Sequence, residues 1–123
     1  SLAKAVMNSI ESLREALLRF RDERDWAQFH SLRNLIVSLN LEASELLELT
    51  QWKSDNEIAA LPADGEMREA LADEIADIFL YLLLVADTAG IDLLDAAREK
   101  LRKNAEKYPV DKCFGSSAKY DRL

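Results

Sequence analysis

Acidic residues with a regular spacing lie beside the apolar positions of two predicted helices. Glu42 and Glu45 are three residues apart in the first helix, and Glu74 and Asp77 have the same spacing in the second. Residues at positions i and i+3 of an α-helix lie on the same face, so each pair presents two carboxylates in one direction. If the two helices pack side by side, all four carboxylates can converge.

The helical projection places these acids at the edge of the hydrophobic core. At about 100° per residue, Glu42 lies about 80° from the apolar direction set by Leu32, and Glu74 about 60° from that set by Leu71. Glu48, by contrast, points to the solvated side of its helix. The acids at positions 42 and 74 are therefore predicted to be partly buried.

Carboxylates that converge at a half-buried edge repel each other and raise each other's pKa values. A divalent cation removes this cost, and oxygen ligands favour hard ions, with Mg²⁺ first and Mn²⁺ second. A solvated acidic face is the ordinary interpretation of such pairs, and it stays open. A di-iron site is disfavoured because such bundles add Glu-x-x-His motifs, and the single histidine, His30, lies outside both helices.

The helices that must position these acids are separated by the glycine and proline residues of the chain. Between these breaks the sequence is rich in strong helix formers, and no segment alternates with a period of two, so we predict an all-α fold. Long helices are expected at about 2–23, 32–51, 66–89 and 93–108, with Ser31 and Asp92 as N-caps, and a short helical turn near residue 57. The expected core positions are Ile10, Leu13, Leu17 and Phe20, then Leu35, Ile36, Leu39, Ala43 and Leu46, then Leu71, Ile75, Ile78, Leu82 and Val85.

Composition excludes several classes of function. The chain carries a net charge of −7, which argues against a partner such as a nucleic-acid polymer, whose phosphates need clustered Lys and Arg. Cys113 is the only cysteine, so an intrachain disulfide and a cysteine zinc site are excluded and a reducing, cytoplasmic location is expected. The longest apolar run, residues 78–86, is too short to span a bilayer, so no membrane partner is expected.

Several segments carry a family likeness. The motifs "EASE" (42–45) and "EIAD" (74–77) resemble the E-x-x-E…E-x-x-D signature of the MazG-like all-α nucleoside triphosphate pyrophosphohydrolases. The 28 residues between them are at the long end of the family's usual spacing. "RDWAQFHSLRNL", "ELTQWKSD", "KLRKNAEKYPV" and "GSSAKY" resemble the dCTP pyrophosphatase branch, so that the likeness covers most of residues 24–120.

The resemblance implies a four-helix MazG-like bundle at residues 1–110 and an irregular tail at 111–123, assembled as a dimer or as a dimer of dimers. It implies an enzyme that hydrolyses a (deoxy)nucleoside triphosphate, dCTP or a related pyrimidine, between the α and β phosphates. The products are the monophosphate and pyrophosphate, and the role is sanitation of the nucleotide pool. The cofactor implied is Mg²⁺, with Mn²⁺ possible.

Residue roles follow from the same resemblance. The four acids would be the metal ligands and the catalytic groups. Leu17 is a departure, since some dCTP-preferring relatives carry histidine there, and this leaves the base preference open. The substrate-binding candidates are Trp26, Trp52, His30 and Tyr81 at the base and sugar, Asn34 beside them, and Lys100 and Asn104 at the phosphates, with Lys53 and Lys107 as weaker phosphate candidates. Tyr108 is a further substrate-binding candidate.

Each of these candidates has an ordinary structural alternative. A tryptophan can serve helix packing, and an exposed lysine commonly serves solubility. Two other functions compete with the pyrophosphohydrolase for the whole chain: a non-catalytic helical oligomerisation or interaction module, and an all-α hydrolase of the dUTPase type. The acid quartet argues against the first, because a scaffold has no use for four carboxylates beside its core.

Overall fold

The structure, a computed structural model, describes residues 9–117, and this part of the chain is all-α, as predicted. Its four long helices occur where the sequence predicts them, and two shorter helices accompany them. The helices are α1 (Ile10–Glu23), α2 (Leu32–Glu48), α3 (Asp55–Ala60), α4 (Gly65–Ala89), α5 (Leu93–Lys107) and α6 (Val110–Cys113), and two 3₁₀ turns occur at Ala27–Phe29 and Leu61–Ala63.

Side-chain caps explain where the helices begin. The Ser31 hydroxyl accepts a hydrogen bond from the backbone N–H of Asn34 at 3.1 Å, and an Asp92 carboxylate oxygen accepts one from Asp95 at 3.0 Å. Both predicted N-caps are thereby confirmed. The first helix is capped at Ser9; the predicted helical residues 2–8 lie outside the described residues.

Two helix ends show how the chain changes direction. Helix α2 ends at Glu48 rather than near residue 51, because the backbone N–H groups of residues 49–51 donate to carbonyls three residues back instead of four. Trp52 follows this turn with a φ of 63°. A positive φ is uncommon for a residue with a bulky side chain. Helix α4 ends at Ala89, and Gly90 follows with a φ of 68°, the conformation that favours glycine at a helix C-terminus.

The described residues up to Ala89 form one compact unit, in which α2 packs along α4 and α1 also contacts α4. The 3₁₀ turn Leu61–Ala63 covers another part of α4. Charged groups add a further link, because Arg14 and Arg21 of α1 both pair with Asp87 of α4. The buried hydrophobic residues of the described part of the chain are Leu35, Leu61, Leu83, Leu84 and Ala86.

Several predicted core residues are exposed, which corrects the expected packing. Ile36 is 43% exposed and Ile75 is 52% exposed, whereas Leu83 and Leu84 of α4 are buried in place of the expected Leu82. The segment 78–86 is apolar on several sides, so its pattern cannot select one direction. One side of α4 is buried within the chain, and other apolar side chains remain on the surface.

The second unit begins at Gly90 and contains α5 and α6. Arg102 stabilises α5 from its exposed face by pairing with Glu99 and Glu106, three and four residues away. The tail expected to be irregular from residue 111 contains most of the short helix α6, and the domain boundary near residue 110 stays a prediction. Within the described residues, no helix combines the length and apolar character that crossing a bilayer requires.

Candidate active site

Three of the four predicted acidic residues converge where α2 packs along α4. Glu42 and Glu45 come from α2, and Glu74 comes from α4. Each offers a carboxylate oxygen, and these three oxygens lie within 4.8 Å of one another. The three residues form a cluster that could hold a metal ion. The packing of α2 on α4 is thus the reason that residues 32 positions apart share one site.

Two members of this carboxylate cluster are poorly solvated. The Oε2 atoms of Glu42 and Glu74 are buried and have no hydrogen-bond partner among residues 9–117. Burial is the main cause that raises the pKa of Glu42 to about 7, followed by a hydrogen bond with Glu45 and by the charges of Glu45, Asp77 and Glu74. Burial also raises the pKa of Glu74, with the charge of Glu45 next. A divalent cation would relieve the repulsion between the carboxylates and would supply a partner for the two buried oxygens.

Asp77 is placed differently from the other three acids. It lies outside the set of converging oxygens, yet its negative charge raises the pKa values of both Glu42 and Glu74. Asp77 also lines a cavity that none of the other three acids lines. The fourth predicted acid therefore joins the carboxylate cluster to this cavity.

The cavity is a mainly aromatic and aliphatic space of about 230 Å³ within the first unit. Phe20 and Trp26 pack edge to face, with ring centroids 5.6 Å apart. The guanidinium of Arg24 lies 3.7 Å from the Phe20 ring centroid, a cation–π contact that holds the aromatic pair from outside. The lining residues are Leu17, Phe20, Arg21, Trp26, His30, Asp77, Leu80, Tyr81 and Leu84. Three predicted base and sugar contacts, Trp26, His30 and Tyr81, are thus together.

His30 presents an unsatisfied nitrogen in this region. Its Nδ1 atom is buried and has no hydrogen-bond partner in the part of the chain that the structure describes. Burial lowers the pKa of His30, and the positive charge of Arg21 lowers it further. The imidazole is therefore neutral at physiological pH, with one nitrogen as donor and the other as acceptor. Asn34 orders the approach to His30, because its amide donates to the carbonyl of Phe29 at 3.1 Å.

The second predicted tryptophan lies apart from the cavity. The side chain of Trp52 is 98% exposed, and neither Trp52 nor the half-buried Lys53 lines the cavity. Packing within the chain therefore does not explain why a tryptophan occupies position 52. Its positive φ is also a conformation that a structure keeps only when the surroundings fix it.

The remaining substrate candidates belong to the second unit. Helix α5 contains Lys100 and Asn104 one turn apart, so they share a face as predicted. Asn104 is half-buried, whereas Lys100 and Lys107 are exposed. Tyr108 ends the helix and is 40% exposed; its backbone N–H donates to the carbonyl of Asn104 at 2.9 Å. The role of these four residues stays a prediction.

Sequence reasoning missed part of the cavity wall. Leu17 and Phe20 were assigned to the core, and both line the cavity instead. Arg21 was not identified at all, because it stands in a segment where most residues are charged. The sequence of α4 does contain a signal for such an arginine. Asp87 follows a long apolar run, and a single acid in such a place indicates a cationic partner.

Comparison with known proteins agrees with this fold. The MazG-like family model matches residues 37–123. The dCTP pyrophosphatase 1 of Mus musculus is 40% identical over 115 residues, which is 94% of this chain and 68% of the relative, and that of Homo sapiens is 38% identical over the same shares. A crystal structure of a pyrophosphatase from Archaeoglobus fulgidus superposes with a TM-score of 0.76 at 39% identity, covering 81% of this chain and 92% of that one.

The chain is thus matched in both sequence and fold. The chain belongs to the MazG-like family. The predicted enzyme class, a nucleoside triphosphate pyrophosphohydrolase, is confirmed by this membership and by the relatives.

Proposed function

We propose that this protein hydrolyses a deoxynucleoside triphosphate, dCTP or a related pyrimidine, between the α and β phosphates, to give the monophosphate and pyrophosphate. The observation that carries the proposal is the position of Asp77. This residue lines the aromatic cavity and acts electrostatically on Glu42 and Glu74 of the carboxylate cluster. A nucleotide whose base enters the cavity would therefore have its phosphates near the acids.

Glu42, Glu45, Glu74 and Asp77 would hold Mg²⁺, or Mn²⁺ in its place. The donor set fits a hard cation, because it consists of carboxylate oxygens and two of them are buried without a partner. Bound Mg²⁺ would supply stabilisation of charge on the phosphate oxygens and a lower pKa of bound water.

The carboxylates would also act on the attacking water. A carboxylate of the cluster accepts its proton as the new P–O bond forms, and the bridging P–O bond between the α and β phosphates breaks. The electron pair of that bond stays on the product that the water does not attack, either the monophosphate or the pyrophosphate.

The cavity would select the base and the sugar. Stacking of a base on an aromatic side chain contributes about 1–3 kcal/mol, and Trp26 is the stacking residue. His30 would hydrogen-bond to the base through its unpartnered Nδ1. Tyr81 would pack against the deoxyribose and crowd a 2′-hydroxyl. Asn34 would hold the His30 segment in place through Phe29.

The phosphates would need cationic and polar partners in addition to the metal. Lys100 and Asn104 are the first candidates because they share a face of α5. Lys107, Tyr108 and Lys53 are secondary candidates. These assignments rest on the family resemblance of the segments in which the residues occur.

We propose that the protein self-associates as a dimer or as a dimer of dimers. Large apolar side chains of α2 are exposed, among them Leu41 at 60% and Leu47 at 66%. Beside them lies a groove of about 500 Å³ whose walls are almost entirely apolar. Burial of this surface by a second copy would remove the apolar area from water. The exposed Trp52 would then contribute to the site of the neighbouring copy.

The biological role would be sanitation of the nucleotide pool in the cytoplasm. Small nucleotides are the expected partners, because a chain with a net charge of −7 repels nucleic-acid polymers. A nucleoside triphosphate, which the acids can reach through a divalent cation, does not require a basic surface.

A product assay tests the proposal. The protein is incubated with Mg²⁺ and each deoxynucleoside triphosphate in turn, and monophosphate with pyrophosphate is resolved from diphosphate with phosphate. We expect dCMP and pyrophosphate from dCTP, and no product with a chelator or with Glu45→Gln. A preference for dUTP would favour the dUTPase-like alternative. Absence of turnover with every triphosphate, with Mn²⁺ also tried, would favour a non-catalytic interaction module.

A further inference from the structure

One wall of the aromatic cavity carries a permanent positive charge. Arg21 lines the cavity, and its side chain is only 18% exposed. Its Nε atom donates to a carboxylate oxygen of Asp22 at 2.8 Å, and its Nη1 atom lies 3.5 Å from a carboxylate oxygen of Asp87. Contacts from two helices therefore hold the planar guanidinium in one orientation.

Asp87 is itself fixed from a second direction. It lies on α4 with a side-chain exposure of 20%, and Arg14, one further arginine of α1, donates to its other carboxylate oxygen. Arg14 does not line the cavity. The two arginines thus share one carboxylate, but only Arg21 can contact a molecule inside the cavity.

The guanidinium keeps donors for such a molecule. Arginine has five N–H groups and no acceptor, and the contacts with Asp22 and Asp87 engage only two of its nitrogens. The buried Nδ1 of His30 also has no partner within the described residues. The polar groups of the cavity wall therefore include a rigid, donor-only group beside a neutral imidazole, both surrounded by apolar and aromatic side chains.

Resting on the proposed function, we propose that Arg21 is a specificity residue that selects cytosine over uracil and thymine. Cytosine presents O2 and N3 as two adjacent acceptors, which a guanidinium can contact with two parallel N–H donors. Uracil and thymine carry a hydrogen on N3, so that a donor would face the donors of Arg21. Arginine recognises the adjacent acceptors of guanine in the same bidentate way.

The expected discrimination follows from what an unmatched base leaves behind. A site built to hydrogen-bond one ligand rejects an analogue that leaves its polar groups unpaired. Hydrogen bonds that involve a charged group are among the stronger ones, so their loss corresponds to roughly a 10-fold or larger fall in affinity. Lysine at position 21 would keep the charge and lose the two-pronged geometry.

The test compares binding of dCMP and dUMP by isothermal titration calorimetry, without metal, in the wild type, Arg21→Lys and Arg21→Met. Arg14→Met is the matched control, because it also removes a partner of Asp87 but leaves the cavity wall unchanged. We expect the wild type and Arg14→Met to bind dCMP about 10-fold tighter than dUMP. Both Arg21 variants should bind the two with affinities within about twofold.

Kinetics give a second readout. The ratio of kcat/KM for dCTP to that for dUTP should fall in the Arg21 variants through KM, with kcat little changed. Circular dichroism checks the fold, and Arg21→Lys decides the question if Arg21→Met does not fold. An undiminished preference for dCMP in Arg21→Lys, an equal loss in Arg14→Met, or no preference in the wild type would overturn the inference. If the wild type turns over no triphosphate, the proposed function fails, and the dCMP titration still decides the role of Arg21.

Discussion

Replacement of Glu42 by glutamine should stabilise the metal-free protein at neutral and alkaline pH while it removes the activity. Glu42 carries a buried oxygen without a partner, and burial together with three neighbouring acids raises its pKa from 4.5 to about 7. Glutamine has nearly the same shape and never ionises. The variant therefore escapes the cost of a partly buried charge that the wild type bears when no metal is bound.

The sign and the size follow from proton linkage. Between pH 4.5 and 7 the folded wild type binds more protons at Glu42 than the unfolded chain, so its stability falls as the pH rises through this window. The rise in pKa corresponds to at most about 3 kcal/mol. Because the carboxylate is only partly shielded from water, we expect about 1–2 kcal/mol in favour of Glu42→Gln above pH 7. Near pH 4.5 the advantage should vanish.

Urea unfolding at pH 5, 6, 7 and 8, in the presence of a chelator, measures this difference. Glu48→Gln is the matched control, because Glu48 is exposed on the same helix and lies outside the carboxylate cluster. Added Mg²⁺ should reverse the order, since a ligand that binds only the folded state stabilises it, by about 2.7 kcal/mol at 100 times its Kd. The wild type should gain this stability, and Glu42→Gln should gain less.

Three results would refute this reasoning. A stability difference between the wild type and Glu42→Gln that does not change from pH 5 to pH 8 would mean that Glu42 titrates normally. Equal stabilisation of both proteins by Mg²⁺ would mean that the cation binds elsewhere. A pH-dependent gain of the same size in Glu48→Gln would show that net charge, and not the cluster, is responsible.

Further predictions concern the other acids and the tryptophans. Asp77→Asn should lower kcat by about 100-fold or more, because a metal ligand and its charge next to the reacting phosphates are lost. Circular dichroism should show unchanged helicity. Turnover near that of the wild type would mean that Asp77 is not part of the site. Trp26→Ala should raise KM for a pyrimidine triphosphate by about 5- to 100-fold through lost stacking, and a KM unchanged in steady-state assays would return Trp26 to a packing role. Trp52→Ala should change the free energy of unfolding of the monomer by less than about 0.5 kcal/mol, because the side chain is exposed. The same variant should raise KM and weaken self-association in sedimentation velocity. If KM and self-association are both unchanged, Trp52 does not lie at a shared site.

The sequence predicts the helices well because their signals are local. Glycine and proline mark the breaks, and Ser31 and Asp92 are strong capping residues that act within one turn. The convergence of Glu42 with Glu74 could also be predicted, because each acid lies at a fixed angle from an apolar face. These features need only the period of the helix and one assumption about packing.

The rest depends on contacts between distant segments. The burial of Leu83 and Leu84 in place of Leu82 could not be read from a run that is apolar on several sides. The placement of Arg21 in the cavity wall depends on Asp87, which is far along the chain. Trp52 is exposed at a turn where its own φ is positive, and the residue types at 49–52 do not predict this turn.

The two tryptophans differ in exposure, 44% for Trp26 and 98% for Trp52, so that the fluorescence of each can report on its own surroundings. The indole of Trp26 packs edge to face against Phe20 beside the aromatic cavity, whereas that of Trp52 is almost fully in water. Emission from Trp52 should therefore be red-shifted and readily quenched by acrylamide, and emission from Trp26 should be less so. Entry of a nucleotide into the cavity would change the emission of Trp26. Association of two chains would change the emission of Trp52. Single-tryptophan variants with phenylalanine at the other position would then report on each of these two surroundings by itself, without an added label.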